Sequence, residues 1–170
     1  MPSDDAPLAQ RRRLEVVADI DFDDPGLRQQ LDRLAERTAH RLGAPVSMVT
    51  LQSDITQFYA GSFGLPPWIR EVGGTPAEWS FCTEVITSGR AHNYPDLAGH
   101  PRHGTNPLVV VDGARSYAGV PLVIDDEVVG THCVVGLAEH AYTEAEIEQL
   151  RESAQEVTAV LQQFRRHQDE

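Results

Sequence analysis

Residues 80–110, SFCTEVITSGRAHNYPDLAGHPRHGTNPLVV, and residues 116–136, SYAGVPLVIDDEVVGTHCVVG, decide the fold of this chain. The first stretch predicts a short helix over Cys82–Ser88, a short strand over Arg90–Tyr94 and an irregular loop over Pro95–Asn106. In the second stretch, β-branched and small residues on both sides of an Asp-Asp pair predict a β-hairpin. This order of elements predicts an α/β domain of the α+β type, with helices covering an antiparallel sheet.

The sequence before residue 80 predicts a helix, a hairpin and a loop. The helix begins with an Asp24 cap and a proline, carries leucines on one side and ends at Gly43. PVSMVTLQ at 45–52 and ITQFYAGSFG at 55–64 are rich in Val, Thr and aromatic residues and predict two antiparallel strands. Residues 65–78 contain three prolines and two glycines, which favours a loop.

The C-terminal segment predicts a helix with a narrow apolar stripe. Thr143 and Glu146 have the spacing of a capping box, so the helix should begin there. Apolar residues then alternate at spacings of three and four, a heptad pattern that is typical of a helix–helix seam. The sequence therefore predicts a homodimer interface made by Ile147, Leu150, Ala154, Val157, Leu161 and Phe164, against the alternative that this helix packs on its own sheet.

Five motifs in a fixed order resemble the core of GAF domains, the small-molecule-sensing fold of signalling proteins. They are SFC, YPD, HPRHGTNP, SYAGVPL and GTHCVVG. The resemblance implies a central antiparallel sheet with the N- and C-terminal helices on one face and a loop and helix lid over a pocket on the other. We expect one GAF-like domain over 14–166, with a disordered tail at 1–13 and a second tail at 167–170.

Composition limits the partners. The 170 residues carry a net charge of -12 and no lysine, and such a surface repels phosphate backbones, so we expect no nucleic acid partner. No apolar run approaches the length of a membrane span, and the first residues lack the apolar core of a signal peptide. We therefore expect a cytoplasmic protein without a membrane partner.

The resemblance places a pocket between one sheet face and the cover formed by residues 80–106. Strand alternation puts Tyr117 on the pocket side and Ala118 on the helix side. The expected ligand-binding residues are Phe81, Cys82, Tyr94, Asp96, Asn106, Tyr117, His132 and Cys133. Tyr117 and Asn106 should supply directional hydrogen bonds to the ligand, while Asp96 should bond backbone N–H groups of the following turn. His132 interrupts an apolar strand and is either a hydrogen-bonded core residue or a pocket group.

The sequence does not predict a catalytic residue, a metal or a cofactor. His100 and His103 with Asp96 upstream have no obvious further ligand, so a solvated loop is favoured over a metal site. Cys82 and Cys133 are far apart in sequence and are interpreted as buried packing residues, with a thiol site as the alternative. Bilin attachment is rejected because the loop after the short strand contains no cysteine, and no motif supports haem.

The resemblance implies a non-catalytic sensor domain that binds a small molecule or a protein partner and signals in trans to a protein output partner, and the C-terminal heptad pattern adds the expectation of a homodimer. Two alternatives remain. The family contains free methionine-(R)-sulfoxide reductases, thiol enzymes whose cysteine pattern is not found here. The other alternative is a pure dimerisation scaffold with a collapsed pocket.

Overall fold

The computed structural model describes residues 6–52 and 56–166. Six antiparallel strands form one sheet in the order β3-β2-β1-β6-β5-β4. The strands are β1 (Val46–Gln52), β2 (Thr56–Phe63), β3 (Gly74–Pro76), β4 (His92–Tyr94), β5 (Ser116–Ile124) and β6 (Glu127–Gly136). The helices are α1 (Ala6–Ala18), α2 (Pro25–Leu42), α3 (Pro67–Val72), α4 (Thr83–Ser88), α5 (Pro107–Val110) and α6 (Glu144–Gln163). The α+β architecture expected from the sequence is confirmed.

The sheet separates two apolar cores. The long helices α1, α2 and α6 pack on one face, where they meet Val120, Leu122 and other residues of β5 and β6. The short helices α3, α4 and α5 and residues 95–106 cover the other face around Tyr117 and Cys133. The two edge strands, β3 and β4, have three residues each, whereas β5 and β6 inside the sheet have nine and ten.

Local signals predicted the starts and ends of the long elements well. Asp24 accepts the N–H of Gly26 at 2.8 Å and caps α2, which ends at Gly43 in the left-handed conformation. At the start of α6, the predicted capping box is formed: the Thr143 N–H donates to the Glu146 carboxylate at 2.8 Å, and the Glu146 N–H donates to the Thr143 hydroxyl at 3.1 Å. The β5–β6 hairpin turns at Asp125 and Asp126, whose positive φ angles suit a two-residue turn.

The apolar stripe of α6 faces the chain's own core. Leu150, Val157 and Leu161 are fully buried against α2 and β5, and Ala154 is 5% exposed. Ile147 and Phe164 lie half-buried at the edges of the same core. Since these side chains are already covered within one chain, the expected dimer seam through this stripe is wrong. The helix packs on its own sheet because α2 and β5 together fill the narrow strip that a second subunit would have occupied.

Two segments expected to lack regular structure contain helices. Residues 6–13 belong to α1, so the expectation of a disordered tail to residue 13 is wrong over this range; residues 1–5 and 167–170 lie outside the described part of the chain. Residues 65–78 form α3 and β3. Prolines at the start of α3 do not oppose a helix, because the first turn has no hydrogen bond for proline to remove, and Gly73 then ends the helix in the left-handed conformation.

Among the described residues, no helix combines the length and the apolar character needed to cross a membrane. The Ser53-Asp54 turn predicted between β1 and β2 lies outside the described residues, but the two strands pair as predicted.

Candidate ligand pocket and lid

A cavity of about 310 Å³ lies beneath α3 and α5, on the face of the sheet opposite the long helices. Strand β1 and the start of β2 form its floor, and α3 with the segment after Phe63 forms one wall. Its lining is mainly apolar and consists of Pro45, Val46, Met48, Gln57, Tyr59, Gly64, Leu65, Pro66, Pro67, Ile69, Phe81, Cys82, Leu108, Asp112, Ala114, Val135 and Leu137. A concave apolar site with a few polar groups is typical of small-molecule binding.

Asp112 is the charged group of this cavity. Its Oδ1 accepts the indole N–H of Trp68 at 3.1 Å, which fixes the carboxylate at the cavity wall. Its Oδ2 is buried and has no hydrogen-bond partner among the described residues. A buried carboxylate oxygen without a partner is costly, so this atom is available to a donor group of a bound molecule.

The other polar groups near the cavity are used within the chain. Gln57 accepts the hydroxyl of Ser80 at 2.8 Å and donates to Tyr59 at 3.2 Å, and Tyr59 shares a 2.9 Å bond with Thr75. Ser80 in turn accepts the backbone N–H of Cys82 at 2.9 Å. Burial raises the pKa of Tyr59 to about 12, so its hydroxyl stays protonated. This network holds the start of α4 against β2 and positions Cys82.

The thiol of Cys82 lies at the inner end of the cavity, surrounded by donors. The hydroxyls of Tyr117 and Thr131 each point at Sγ from 3.0 Å, and that of Thr50 lies at 3.6 Å. Burial raises the pKa of Cys82, but hydrogen bonds from Cys133 and these three hydroxyls outweigh it and lower the pKa to about 6. Cys133 is the opposite case, because burial and its hydrogen bond to Cys82 raise its pKa. The packing-only interpretation of Cys82 therefore does not describe its surroundings.

Removing one donor should reverse this effect. Replacing Tyr117 by Phe leaves the aromatic packing in place but removes the hydroxyl from Sγ, so the pKa of Cys82 should rise by about one unit. The measurement is a pH titration of thiolate ultraviolet absorbance, corrected with a Cys82→Ala variant. Replacing Tyr142 by Phe, which removes a buried hydroxyl bonded to Ser116 and not to sulfur, is the control. An unchanged titration in Tyr117→Phe would contradict the assignment of this hydroxyl.

A second cluster lies where α4 meets residues 95–106, which we call the lid segment. Glu84 accepts the hydroxyl of Tyr94 at 2.6 Å and pairs with Arg102 at 3.1 Å. The hydrogen bond from Tyr94 outweighs partial burial and lowers the pKa of Glu84. His103 is buried, which lowers its pKa to about 4 and keeps the ring neutral. Its ring contacts those of Phe81 and Tyr94, with centroids 5.2 and 5.0 Å apart, so this cluster adjoins the cavity through Phe81.

Comparison with known proteins decides the family. The family model for the GAF domain matches residues 26–161. The chain belongs to the GAF domain family. This GAF domain has a sheet order, a helical layer and a lid that agree with the architecture implied by the five motifs.

Solved structures share the fold at low identity. The GAF domain of a phosphoenolpyruvate-protein phosphotransferase from Coxiella burnetii has a TM-score of 0.70 and 19% identity, over 91% of each chain. The GAF domain of an Acinetobacter phosphoenolpyruvate-protein phosphotransferase has a TM-score of 0.66 and 18% identity, over 95% of this chain and 96% of that one. A free methionine-R-sulfoxide reductase from Neisseria meningitidis, in complex with its substrate, has a TM-score of 0.65 and 20% identity, over 95% of this chain and 93% of that one. At these identities the likeness shows the fold alone, and no curated protein matches the chain.

The structure distributes the eight expected ligand residues over different places. Phe81 and Cys82 line the cavity, and Tyr117 and Cys133 lie directly behind Cys82. Tyr94 stacks on Tyr117, with ring centroids 5.5 Å apart, and belongs to the lid cluster. The side chain of Tyr117 thus faces the lid, as strand alternation predicted, and Tyr94 lies on the same side of the sheet.

Asp96 and Asn106 hold the lid segment in shape. Asp96 accepts the N–H of Gly99 at 3.0 Å, the turn contact expected from the sequence. Asn106 caps α5 by accepting the N–H of Leu108 and donates to the carbonyl of Trp79, both at 2.9 Å. Its amide and the Tyr117 hydroxyl are therefore engaged within the chain.

His132 lies on the other side of the sheet, so its assignment as a ligand group is wrong. One ring nitrogen, Nδ1, donates to the carbonyl of Met48 at 2.9 Å, and Nε2 lies 2.9 Å from the hydroxyl of Thr38, which it shares with the carbonyl of Leu34. Burial lowers the pKa of His132 to about 4. The residue is a neutral, hydrogen-bonded core histidine, one of the two interpretations that the sequence left open.

The residues missed at the cavity come from segments with weak local signals. Ile69 belongs to α3, which the sequence placed in a loop, and Asp112 follows α5 in a stretch with no clear motif. Met48 and Tyr59 were predicted to be in strands, but alternation alone does not say which sheet face carries the pocket. Glu84 was hidden inside a helix and is brought to the lid only by the fold.

Proposed function

We propose that this GAF domain is a non-catalytic sensor that binds a small molecule in the cavity below α3 and α5 and signals in trans to a protein partner. The main support for this proposal is the apolar cavity, where Oδ2 of Asp112 lies at the wall without a hydrogen-bond partner among the described residues. This arrangement favours a ligand with an apolar body and one hydrogen-bond donor, preferably a cationic amine. An open cavity supports ligand binding over a scaffold with a collapsed pocket.

Ligand binding has a short route to the surface. Leu108 and Ala114 line the cavity, and Leu108 lies in α5 directly after the lid segment. Phe81 lines the cavity, and its ring contacts that of His103 in the lid segment. A molecule that fills the cavity therefore packs against the residues that hold the lid, and the lid surface is where a partner would read the change. Self-association stays a prediction, but the stripe of α6 no longer supplies its interface.

Filling the cavity should prevent binding. Replacing Ala114 by Phe places a ring in the cavity, whereas Val123→Phe adds the same ring type at a position that is 47% exposed on β5. Native mass spectrometry of freshly purified protein should show a retained small molecule in the wild type and in Val123→Phe, and none in Ala114→Phe. Retention by Ala114→Phe would place the ligand elsewhere.

A defined probe tests the chemistry of the ligand without its identity. Phenethylamine carries a cationic donor on an apolar body, and 3-phenylpropionate carries a carboxylate on a similar body. We expect the amine to raise the melting temperature of the wild type and to lose this effect in Asp112→Asn, while the carboxylate has no effect. Equal stabilisation by both compounds, or by neither, would contradict the assigned role of Asp112.

A thiol reductase is the second candidate, favoured by the donors around Cys82. Reducing a sulfoxide would require the Cys82 thiolate to attack the sulfoxide sulfur and Cys133 to complete a disulfide, with release of water and the sulfide. Both thiols are buried, and the low identity to reductases carries no activity over to this chain. Consumption of NADPH with thioredoxin, thioredoxin reductase and free methionine sulfoxide distinguishes the two functions; we expect none above a Cys82→Ala background.

A further inference from the structure

Three side chains with metal-binding atoms meet between α4 and the lid segment. One ligand atom from each of Glu84, His100 and His103 lies within 4.8 Å of the others. His103 is only 4% exposed, and its Nε2 is buried without a hydrogen-bond partner among the described residues. An imidazole nitrogen that is buried and unpartnered needs an explanation, because satisfied polar groups are the rule in protein interiors.

The spacing of Glu84 and His103 suits a bridging cation. Oε1 of Glu84 and Nε2 of His103 are 3.7 Å apart, too far for a hydrogen bond. Two metal bonds of about 2.1 Å at a tetrahedral angle would put their ligand atoms roughly 3.4 Å apart. We propose that Glu84, His103 and His100 form a site for a first-row divalent cation of the Zn²⁺ type, which ties α4 to the lid segment.

Arg102 would compete with a cation for Glu84. Its guanidinium lies 3.1 Å from the same Oε1 of Glu84, and its side chain is 63% exposed. An exposed ion pair contributes little to stability, so the arginine leaves at small cost when a divalent cation arrives. Arg102 is thus a competitor for the site, and its removal should strengthen cation binding.

Tyr94 supports the carboxylate from the protein side. Its hydroxyl donates to Oε1 of Glu84 at 2.6 Å, and its ring packs on both histidines with centroids 5.0 Å away. Partners of this kind orient a metal-bound carboxylate and fix the ligand rings. The cation would therefore meet a carboxylate that is already held in place.

His100 is the third and weaker ligand. Its Nδ1 accepts the backbone N–H groups of Arg102 and His103 at 3.1 and 3.2 Å, so the ring must leave this turn before it can bind a metal. Asp96, the acidic neighbour considered from the sequence, is used by the turn at Gly99. Imidazole and carboxylate together favour Zn²⁺, Co²⁺ or Ni²⁺ over Mg²⁺ and Ca²⁺, which prefer oxygen ligands.

The experiment measures binding of Zn²⁺ and Co²⁺ to the 170-residue chain after treatment with a chelator. Calorimetry gives the Zn²⁺ affinity and stoichiometry, and the visible bands of Co²⁺ report the ligand set. The variants are Glu84→Gln, His103→Asn and Arg102→Met. Glu84→Gln keeps an acceptor for Tyr94 at a partly exposed position, so it tests the site even if His103→Asn fails to fold. The control is His140→Ala, which removes an exposed histidine lying 3.1 Å from Glu146.

We expect one Zn²⁺ per chain. Glu84→Gln and His103→Asn should each lower the affinity at least about tenfold. Arg102→Met should raise it by about two- to fivefold, the value of one exposed ion pair, and His140→Ala should leave it unchanged. The proposal would be overturned if Zn²⁺ did not bind saturably, or if Glu84→Gln left the Zn²⁺ affinity unchanged. It would also be overturned if His140→Ala lowered the affinity as much as Glu84→Gln does. Co²⁺ bands of the thiolate type that disappear in Cys82→Ala would overturn it as well. Ligand retention in the cavity is read separately, so failure of this site leaves the proposed sensor function standing.

Discussion

Replacing Val157 by Glu should unfold the domain. Val157 is fully buried in the core between α6, α2 and the sheet, so the new carboxylate would lie without a partner in an apolar environment. We expect a loss of more than about 4 kcal/mol in the free energy of unfolding, a large part of the stability of a small domain. Urea unfolding followed by circular dichroism measures this loss.

Ala159→Glu is the matched control for this change. Ala159 is exposed on the same helix, two residues further along, and a glutamate there should alter stability by no more than about 0.5 kcal/mol. A dimeric wild type and a folded, monomeric Val157→Glu variant in sedimentation would restore the subunit seam that the heptad pattern predicted, and would contradict the packing of α6 described here.

His132 should make the domain less stable in mild acid. The folded state holds its pKa at about 4, below the ordinary value of 6.5. Between these values the unfolded chain binds a proton that the folded chain does not, so stability is full above pH 6.5 and falls as the pH drops toward 4. Since one pKa unit is worth about 1.4 kcal/mol, the loss is on the order of 3 kcal/mol.

His132→Leu should flatten this dependence, because leucine fills a similar volume and does not titrate. The measurement is the free energy of unfolding at several pH values across the window, for the wild type and the variant. His40→Leu, on the exposed side of α2, should keep the wild-type slope. His103 also has a pKa of about 4 and adds to the pH dependence of stability in both proteins. The prediction is therefore tested by the difference between the two slopes of unfolding free energy against pH, that of the wild type and that of His132→Leu. Parallel curves would show that His132 is not the neutral core group described.

The sequence predicted the fold well where local signals were strong. Asp24 and Thr143 cap helices at the predicted positions, and Tyr117 and Ala118 face the predicted sides of the sheet. Caps and strand alternation depend on a few neighbouring residues, and the chain satisfies them locally. The GAF family followed because five such local motifs occur in a fixed order.

The candidate site was harder to predict because it depends on which residues meet in space. The stripe through Leu150 and Leu161 has the same spacing whether it meets a second subunit or its own sheet, so periodicity could not distinguish them. His132 and Cys133 are consecutive residues of β6, so alternation places them on opposite faces of the sheet, and the assignment of both to one pocket was wrong. No sequence motif distinguishes Glu84 and Asp112 from the other acidic residues, because only the fold brings them to a cluster and to a cavity.

The short strands at both borders of the sheet limit how this protein can associate. An open border with a long run of unpaired backbone groups recruits strands from other chains, which leads to aggregation or to docking of an extended peptide. Here the outermost strands, β3 and β4, have three residues each, and the central strands β1 and β6 are paired on both sides. A peptide added beyond β3 or β4 would pair over three residues only, so we expect a partner to recognise side chains on the helical layer or on the lid.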